Sequence, residues 1–245
     1  MTIEEFNNAF DIRYDSIAGK SAPSIDLYEK SVYFTTAQLE LIMNHYDPTS
    51  NIKQKGFEGS EKRRVELEEL VKDFKSTSFF TNSNAISDNS LFVSLPEETM
   101  YIVNEKVKAT VKNCSKSLEV IPMTHDEYNI QIRNPFKQPN DRKVWRMNIS
   151  KQNNTKVVEL IKRNDVQLIE YSNRYIKYPT PIIFVNLNEE FPNENLTIDG
   201  QYLKTECQLD KSWHNAILNR AVELALGDYK PQDLAVKAQL NSRDE

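Results

Sequence analysis

Glycine is scarce in this chain, with 5 in 245 residues. That scarcity argues against Gly-rich phosphate cradles, and neither GxGxxG nor GxxxxGK[ST] occurs. Histidine is rarer still: His45, His125 and His214 are all there is, without HExxH spacing. A metal site needs three or four ligands converging from separate elements, so neither metal nor cofactor is expected. The two cysteines, Cys114 and Cys207, lie far apart in sequence and read as free thiols of a reducing compartment. They lack the flanks of a catalytic cysteine, and there is no GxSxG elbow, so no catalytic residue is assigned. No run of 18 apolar residues exists, which excludes a membrane-spanning helix. The acidic start, Met1 to Phe6, has neither the basic end nor the apolar core of a signal peptide. A net charge of -5 gives no general pull toward nucleic acid. Lys62-Arg63-Arg64 reads as a solvated helix face rather than a phosphate patch.

What is present is periodic. Ile3, Phe6, Phe10, Tyr14 and Ile17 recur at helical spacing, with Gly19 as a C-terminal cap. A second helix is predicted from Ser24 or Asp26 to Tyr46, stopped by Asp47-Pro48 and followed by a polar loop to Gly59. A third runs from a Ser60 cap to Phe74, and residues 76–90 form a loop. From Leu91 the period turns to two. Strands are predicted at 91–95, 100–111, 118–121, 143–149, 156–163, 166–171, 174–178 and 182–185. Tyr101, Val103, Val107, Ala109 and Val111 are placed on one side of their strand. Helix returns at Lys211 to Leu226, capped by Gly227. The fold class is therefore α+β. N- and C-terminal helices form a helical bundle around an inserted, mainly antiparallel β-rich domain, with boundaries at 1–90, 91–205 and 206–245. The apolar faces of the early and late helices need a partner, and each is the available partner of the other.

Two motif blocks stand out, Thr124 to Arg146 and Leu196 to Ala225, and both have the pattern of structural punctuation rather than of an active site. In Thr124-His125-Asp126-Glu127 the S/T-x-x-E spacing is that of a helix capping box, which takes precedence over a metal reading of His125. Asn134-Pro135-Phe136 with Pro139 forms a rigid corner anchored by Phe136. The aromatics Tyr171, Tyr175, Tyr178 and Phe184 fall at core positions of strands rather than on a base-stacking platform. Trp145 and Trp213 read as core or interface anchors.

Glu5 to Ile17 (EFNNAFDIRYDSI) and Ala22 to Ile42 (APSIDLYEKSVYFTTAQLELI) resemble the opening of virion proteins from crAss-like and related phages of Bacteroidetes. Thr124 to Asn129, Asn134 to Phe136, Pro139 and Val144-Trp145-Arg146 resemble their middle. Leu196 to Gly200, Thr205 to Asp210, then His214, Ile217-Leu218 and Arg220 to Ala225 resemble their end. The resemblance implies a non-enzymatic ring, neck or adaptor protein of the head-to-tail connector. It implies a homo-oligomeric ring of twelve copies, portal and other ring proteins as partners, passive contact with packaged DNA, and a place in the virion after synthesis in the host cytoplasm. It carries no catalytic residues. A phage hydrolase or nucleic-acid-processing enzyme, or a tail-associated host-binding protein, are the other readings. No catalytic constellation supports the first, and no long β repeats support the second. Exposed apolar residues on loops and tail, namely Phe79, Phe80, Phe136, Leu234, Val236 and Leu240, are the expected oligomer interface.

Overall fold

A computed structural model describes residues 1–18, 23–47, 61–152, 155–192 and 194–229. It is an α+β structure in two compact units, residues 1–70 with 179–245, and residues 71–178. Gly19, Pro48 and Ser60, predicted to punctuate the early helices, and the tail residues Leu234, Val236 and Leu240 lie outside the described residues.

The first unit is built on α1 (Ile3–Ala18), α2 (Leu27–Tyr46) and α6 (His214–Tyr229), with α6 packed on both others. Ile3, Phe6, Phe10, Tyr14 and Ala18 form the buried stripe of α1. Capping boxes start the first two helices. Thr2 and Glu5 exchange backbone-to-side-chain bonds of 2.9 and 3.2 Å. Asp26 and Glu29 do the same at 3.2 and 2.7 Å. Phe34 of α2 is fully buried among Phe6, Phe10 and Phe184, with ring centroids 5.2, 5.7 and 5.0 Å away. Lys30 is buried too, its ammonium 2.6 Å from Asp11 and 2.8 Å from Asn7 Oδ1. Arg220 of α6 reaches Glu40 of α2 at 2.7 Å. Helix α6 runs through Gly227 to Tyr229, so that glycine is interior to the helix and not its cap.

Ile182–Val185 is not a strand. Ile182, Ile183 and Phe184 are buried in the helical unit, where side-chain hydroxyls take up their backbone donors. Ile182 N–H donates to Thr35 Oγ1 and Phe184 N–H to Ser31 Oγ, both at 3.1 Å. Ile183 N–H donates to Thr205 Oγ1 at 3.1 Å. Two hydroxyls on α2, with a single bridge to Thr205, thus do what a neighbouring strand would have done.

The second unit is a seven-stranded mixed sheet: β1 (Val71–Ser76), β2 (Ser90–Ser94), β3 (Thr99–Val111), β4 (Cys114–Pro122), β5 (Lys143–Gln152), β6 (Thr155–Ile161) and β7 (Val166–Lys177). Their order is β1-β7-β3-β4-β5-β6-β2. All neighbours are antiparallel except β4 and β5, whose crossover carries α4 (His125–Gln131). The third predicted helix is shorter than its apolar spacing suggests. Helix α3 (Glu61–Leu67) is followed by one 3-10 turn, and Val71 already belongs to β1, paired to Ile176 of β7. The two strands predicted at 166–171 and 174–178 are one, β7.

The inner face of the sheet carries one continuous apolar cluster from Val93 on β2 to Tyr171 on β7, so the sheet curls over itself. Val107, Ala109 and Val111 join that cluster as expected, but Tyr101 and Val103 do not. A register shift falls between Ile102 and Asn104, which leaves Val103 as the extra residue of a bulge and turns Ile102 inward. On the other face of β5 and β6, Trp145, Met147 and Ile161 are covered by Met123 and Tyr128. Tyr128 meets Trp145 edge-on at 5.9 Å and 82°. Helix α4 is started by the predicted box, with Thr124 and Glu127 bonded reciprocally at 3.3 Å each. Thr124→Ala is expected to lower stability by about 0.5–2 kcal/mol, with Thr124→Ser close to wild type. Equal urea midpoints for the alanine variant and the wild type would show that the cap does not hold α4 over Trp145.

Candidate assembly surfaces

The expected interface residues that are described differ in exposure. Phe79 is half-buried against the sheet core. Phe80 exchanges backbone hydrogen bonds of 3.1 and 2.8 Å with Phe92 and stacks on its ring at 5.7 Å. Phe136 is 91% exposed. It is therefore no anchor within this chain, though the corner around it is rigid. Its N–H is held by Asn134 Oδ1 at 3.1 Å, and Lys137 N–H returns to Asn134 O at 3.0 Å. Six residues before Phe136, Ile130 on α4 is 72% exposed. Sequence reasoning missed it. Its signal was an apolar residue opposite the buried Tyr128 on a helix of seven residues.

The Leu196–Gly200 motif builds a second surface. Ile198 and Gln201 exchange two 2.9 Å backbone bonds around Asp199 (φ 49°) and Gly200 (φ 77°), a tight two-residue turn. Gly200 sits in the left-handed region that favours glycine. The residues that follow, Tyr202 and Leu203, are 41% and 56% exposed. Tyr202 O accepts from Leu187 N–H at 2.9 Å, which ties the strap that presents them to the start of α5 (Leu187–Glu190).

Polar groups inside the sheet unit pair with one another. Arg146 Nε lies 3.0 Å from Glu105 Oε2, and both side chains are almost wholly buried. That is an ion pair by distance, although the Nε–H is not aligned as a hydrogen bond. Tyr171 donates to Glu105, Asn173 Nδ2 donates to Tyr171 Oη at 3.3 Å, and Arg146 Nη1 donates to Asn148 at 2.6 Å. Burial raises the Glu105 carboxyl, opposed by the Arg146 charge and the Tyr171 hydroxyl. Burial, then the Glu105 charge, raises the Tyr171 phenol. A cavity of about 500 Å³ opens beside this group between β3, β4 and β5. The carboxylate and guanidinium that face it are already spent on each other.

The remaining candidates are dispersed. His125 is exposed at the start of α4, and among the described residues no group of three or more His, Cys, Asp or Glu is placed to hold a metal. Both cysteines are free, and burial raises the Cys207 thiol. Tyr171, Tyr175 and Phe184 are core residues, while Tyr178 is half-exposed with the Lys156 ammonium 4.8 Å from its ring centre. Trp145 and Trp213 are both buried, one in each unit. No described helix is long and apolar enough to cross a membrane.

Two curated relatives come from Bacteroides phage crAss001. "Ring protein 4/5" is 33% identical over 246 aligned positions, covering 100% of both chains. "Ring protein 3" is 34% identical over 230, covering 92% of this chain and 95% of the relative. The family described as phage tail ring protein 3/4 matches residues 1–235. With a family match across nearly its whole length and relatives above 30% identity, this chain belongs to the phage tail ring protein 3/4 family of crAss-like phages.

Proposed function

We propose that this chain is a non-enzymatic structural component of a phage particle, forming a closed ring in the head-to-tail connector below the portal. The observation that carries the reading is the end-to-end match to two proteins named as ring proteins, spanning both structural units. The described surfaces agree with it. Phe136, Ile130, Tyr202 and Leu203 are large apolar side chains held outward on fixed backbone, as expected of groups that another subunit covers. The helical unit acts as a bundle holding the first and last thirds of the chain together, and the sheet unit is the inserted β-rich domain. Copies associate head to tail about a symmetry axis, so each contributes two different patches to the ring. Twelve copies match a portal of twelve. Its partners are the portal and neighbouring rings, with passive contact to DNA in the lumen. The protein is made in the host cytoplasm and resides in the virion.

The tail is the proposed assembly arm. Leu234, Val236 and Leu240 stand in a polar setting, and burying each against a neighbour contributes roughly 1.5–3 kcal/mol before ordering is subtracted. Deleting residues 231–245 is expected to lower incorporation into particles while the monomer stays folded. Quantitative blotting of purified virions against circular dichroism of the free protein checks this, and normal incorporation would sink the arm. Electron microscopy of virions, with density assigned to this chain, tests the ring itself. Single copies outside any ring would defeat the reading.

A further inference from the structure

Charge is divided unevenly between the two units. Residues 71–178 hold 17 lysines and arginines against 12 carboxylates, and the rest of the chain holds 14 against 24. The helical unit is thus net -10 and the sheet unit net +5. Within the sheet unit a group of cations gathers at one end. The β3–β4 turn is Lys112-Asn113, with φ of 49° and 61°, and Val111 pairs with Val166 at the start of β7. That register sets Lys112 beside the turn at Arg163 to Asp165, where Asp165 feels the Lys112 charge. Lys116 lies 3.6 Å from Asp141, and Asp141 in turn acts on Arg163. Lys112, Lys116, Arg142, Lys162 and Arg163 therefore share this end with two carboxylates that pair among them.

The helical unit carries the opposite arrangement. Glu189, Glu190, Glu194, Asp199, Glu206 and Asp210 are all exposed and surround the Tyr202–Leu203 pair in sequence, with Lys204 the one basic residue between 187 and 210. We infer that the cationic end of the sheet unit docks on the Tyr202–Leu203 strap of a second copy, with the carboxylates of 189–210 as the rim of the contact. This rests on the ring reading and specifies its contact. A heterologous contact needs two unlike, complementary patches on every copy, and these two are opposite in sign. Lysine stems cover apolar surface while their heads stay wet, and a cation over the Tyr202 ring adds attraction. An apolar centre within a charged rim is the ordinary anatomy of such an interface.

The test uses the full chain. One variant reverses the cationic end (Lys112→Glu, Lys116→Glu, Arg142→Glu). The other reverses the rim (Glu190→Lys, Glu194→Lys, Glu206→Lys). Circular dichroism establishes that both are folded, and sedimentation velocity reads assembly. Wild-type association is expected to weaken about tenfold between 50 and 500 mM salt. Each variant alone is expected to assemble about tenfold more weakly, and an equimolar mixture to recover, because a reversed end then meets a reversed rim on its neighbour. A mixture that fails while the six-fold variant assembles would place the contact within one chain and overturn the inference. So would variants that assemble normally, or an end-reversed variant that loses only retention on double-stranded DNA. In those cases wild-type rings in virion micrographs leave the ring reading standing; their absence removes both.

Discussion

Arg146→Ala is expected to destabilise the sheet unit by about 3–5 kcal/mol, since it leaves the Glu105 carboxylate buried without its counter-charge. Removing both charges as Glu105→Leu with Arg146→Met is expected to lose far less. The cost of the single change lies in the orphaned charge rather than in the pair's net attraction. The loss also has a pH signature. Burial already holds Glu105 above its ordinary value near 4.5, and Arg146 opposes that. Without Arg146 the folded-state pKa rises further, so the folded variant binds a proton where the unfolded chain does not. Stability of the variant then increases as pH falls from neutral through that folded pKa, and its gap to wild type is smaller at pH 5 than at pH 8. Urea titrations at both pH values check this. A gap that widens on acidification, or a loss under about 1 kcal/mol at pH 8, would show that the pair is not what neutralises the site.

Phe34→Ala is expected to cost the helical unit about 3–5 kcal/mol. The ring is fully buried and touches aromatic neighbours from α1 and from the 182–185 segment, so a cavity there loosens three stretches at once. Phe34→Leu refills much of the space and is expected to recover more than half of the loss. The two tryptophans separate the readouts, Trp145 lying in the sheet unit and Trp213 in the helical one. In a Trp145→Phe background, fluorescence reports Trp213 alone. Its unfolding midpoint should fall with Phe34→Ala and stay with Arg146→Ala. Equal shifts from both substitutions would mean that the units do not unfold separately.

Local signals were legible where local physics decides. The 3-4 spacing of α1, the boxes at Asp26 and Thr124, and the β5–β6 pair are each written within about 20 residues of themselves. Elements whose partner is distant were not. Val71 to Phe74 continues a helical pattern of apolar spacings, yet pairing with β7, some 100 residues on, makes it an edge strand. Ile182–Val185 has strand composition, yet Ser31 and Thr35 capture its donors from 150 residues away. The Glu105–Arg146 pair is invisible in sequence for the same reason, since two ordinary charges become a buried pair only once β3 and β5 lie either side of β4. At the surface, the proline corner marks Phe136 in the sequence, whereas nothing marks Tyr202 and Leu203, since Asp199-Gly200 before them has the pattern of a plain turn.

The division at residues 70 and 178 also sets an order of events during synthesis. The sheet unit is contiguous and can close once β7 clears the ribosome. The helical unit cannot, because α1 and α2 are made first and α6, which packs on both, is made last. At roughly 5–20 residues per second, the interval between the end of α2 and the end of α6 is about ten to forty seconds. Until residue 184 is made, Phe6, Phe10 and Phe34 have only one another, and until α6 follows they lack its cover, a window of exposed aromatic surface that chaperones would meet before any second copy does.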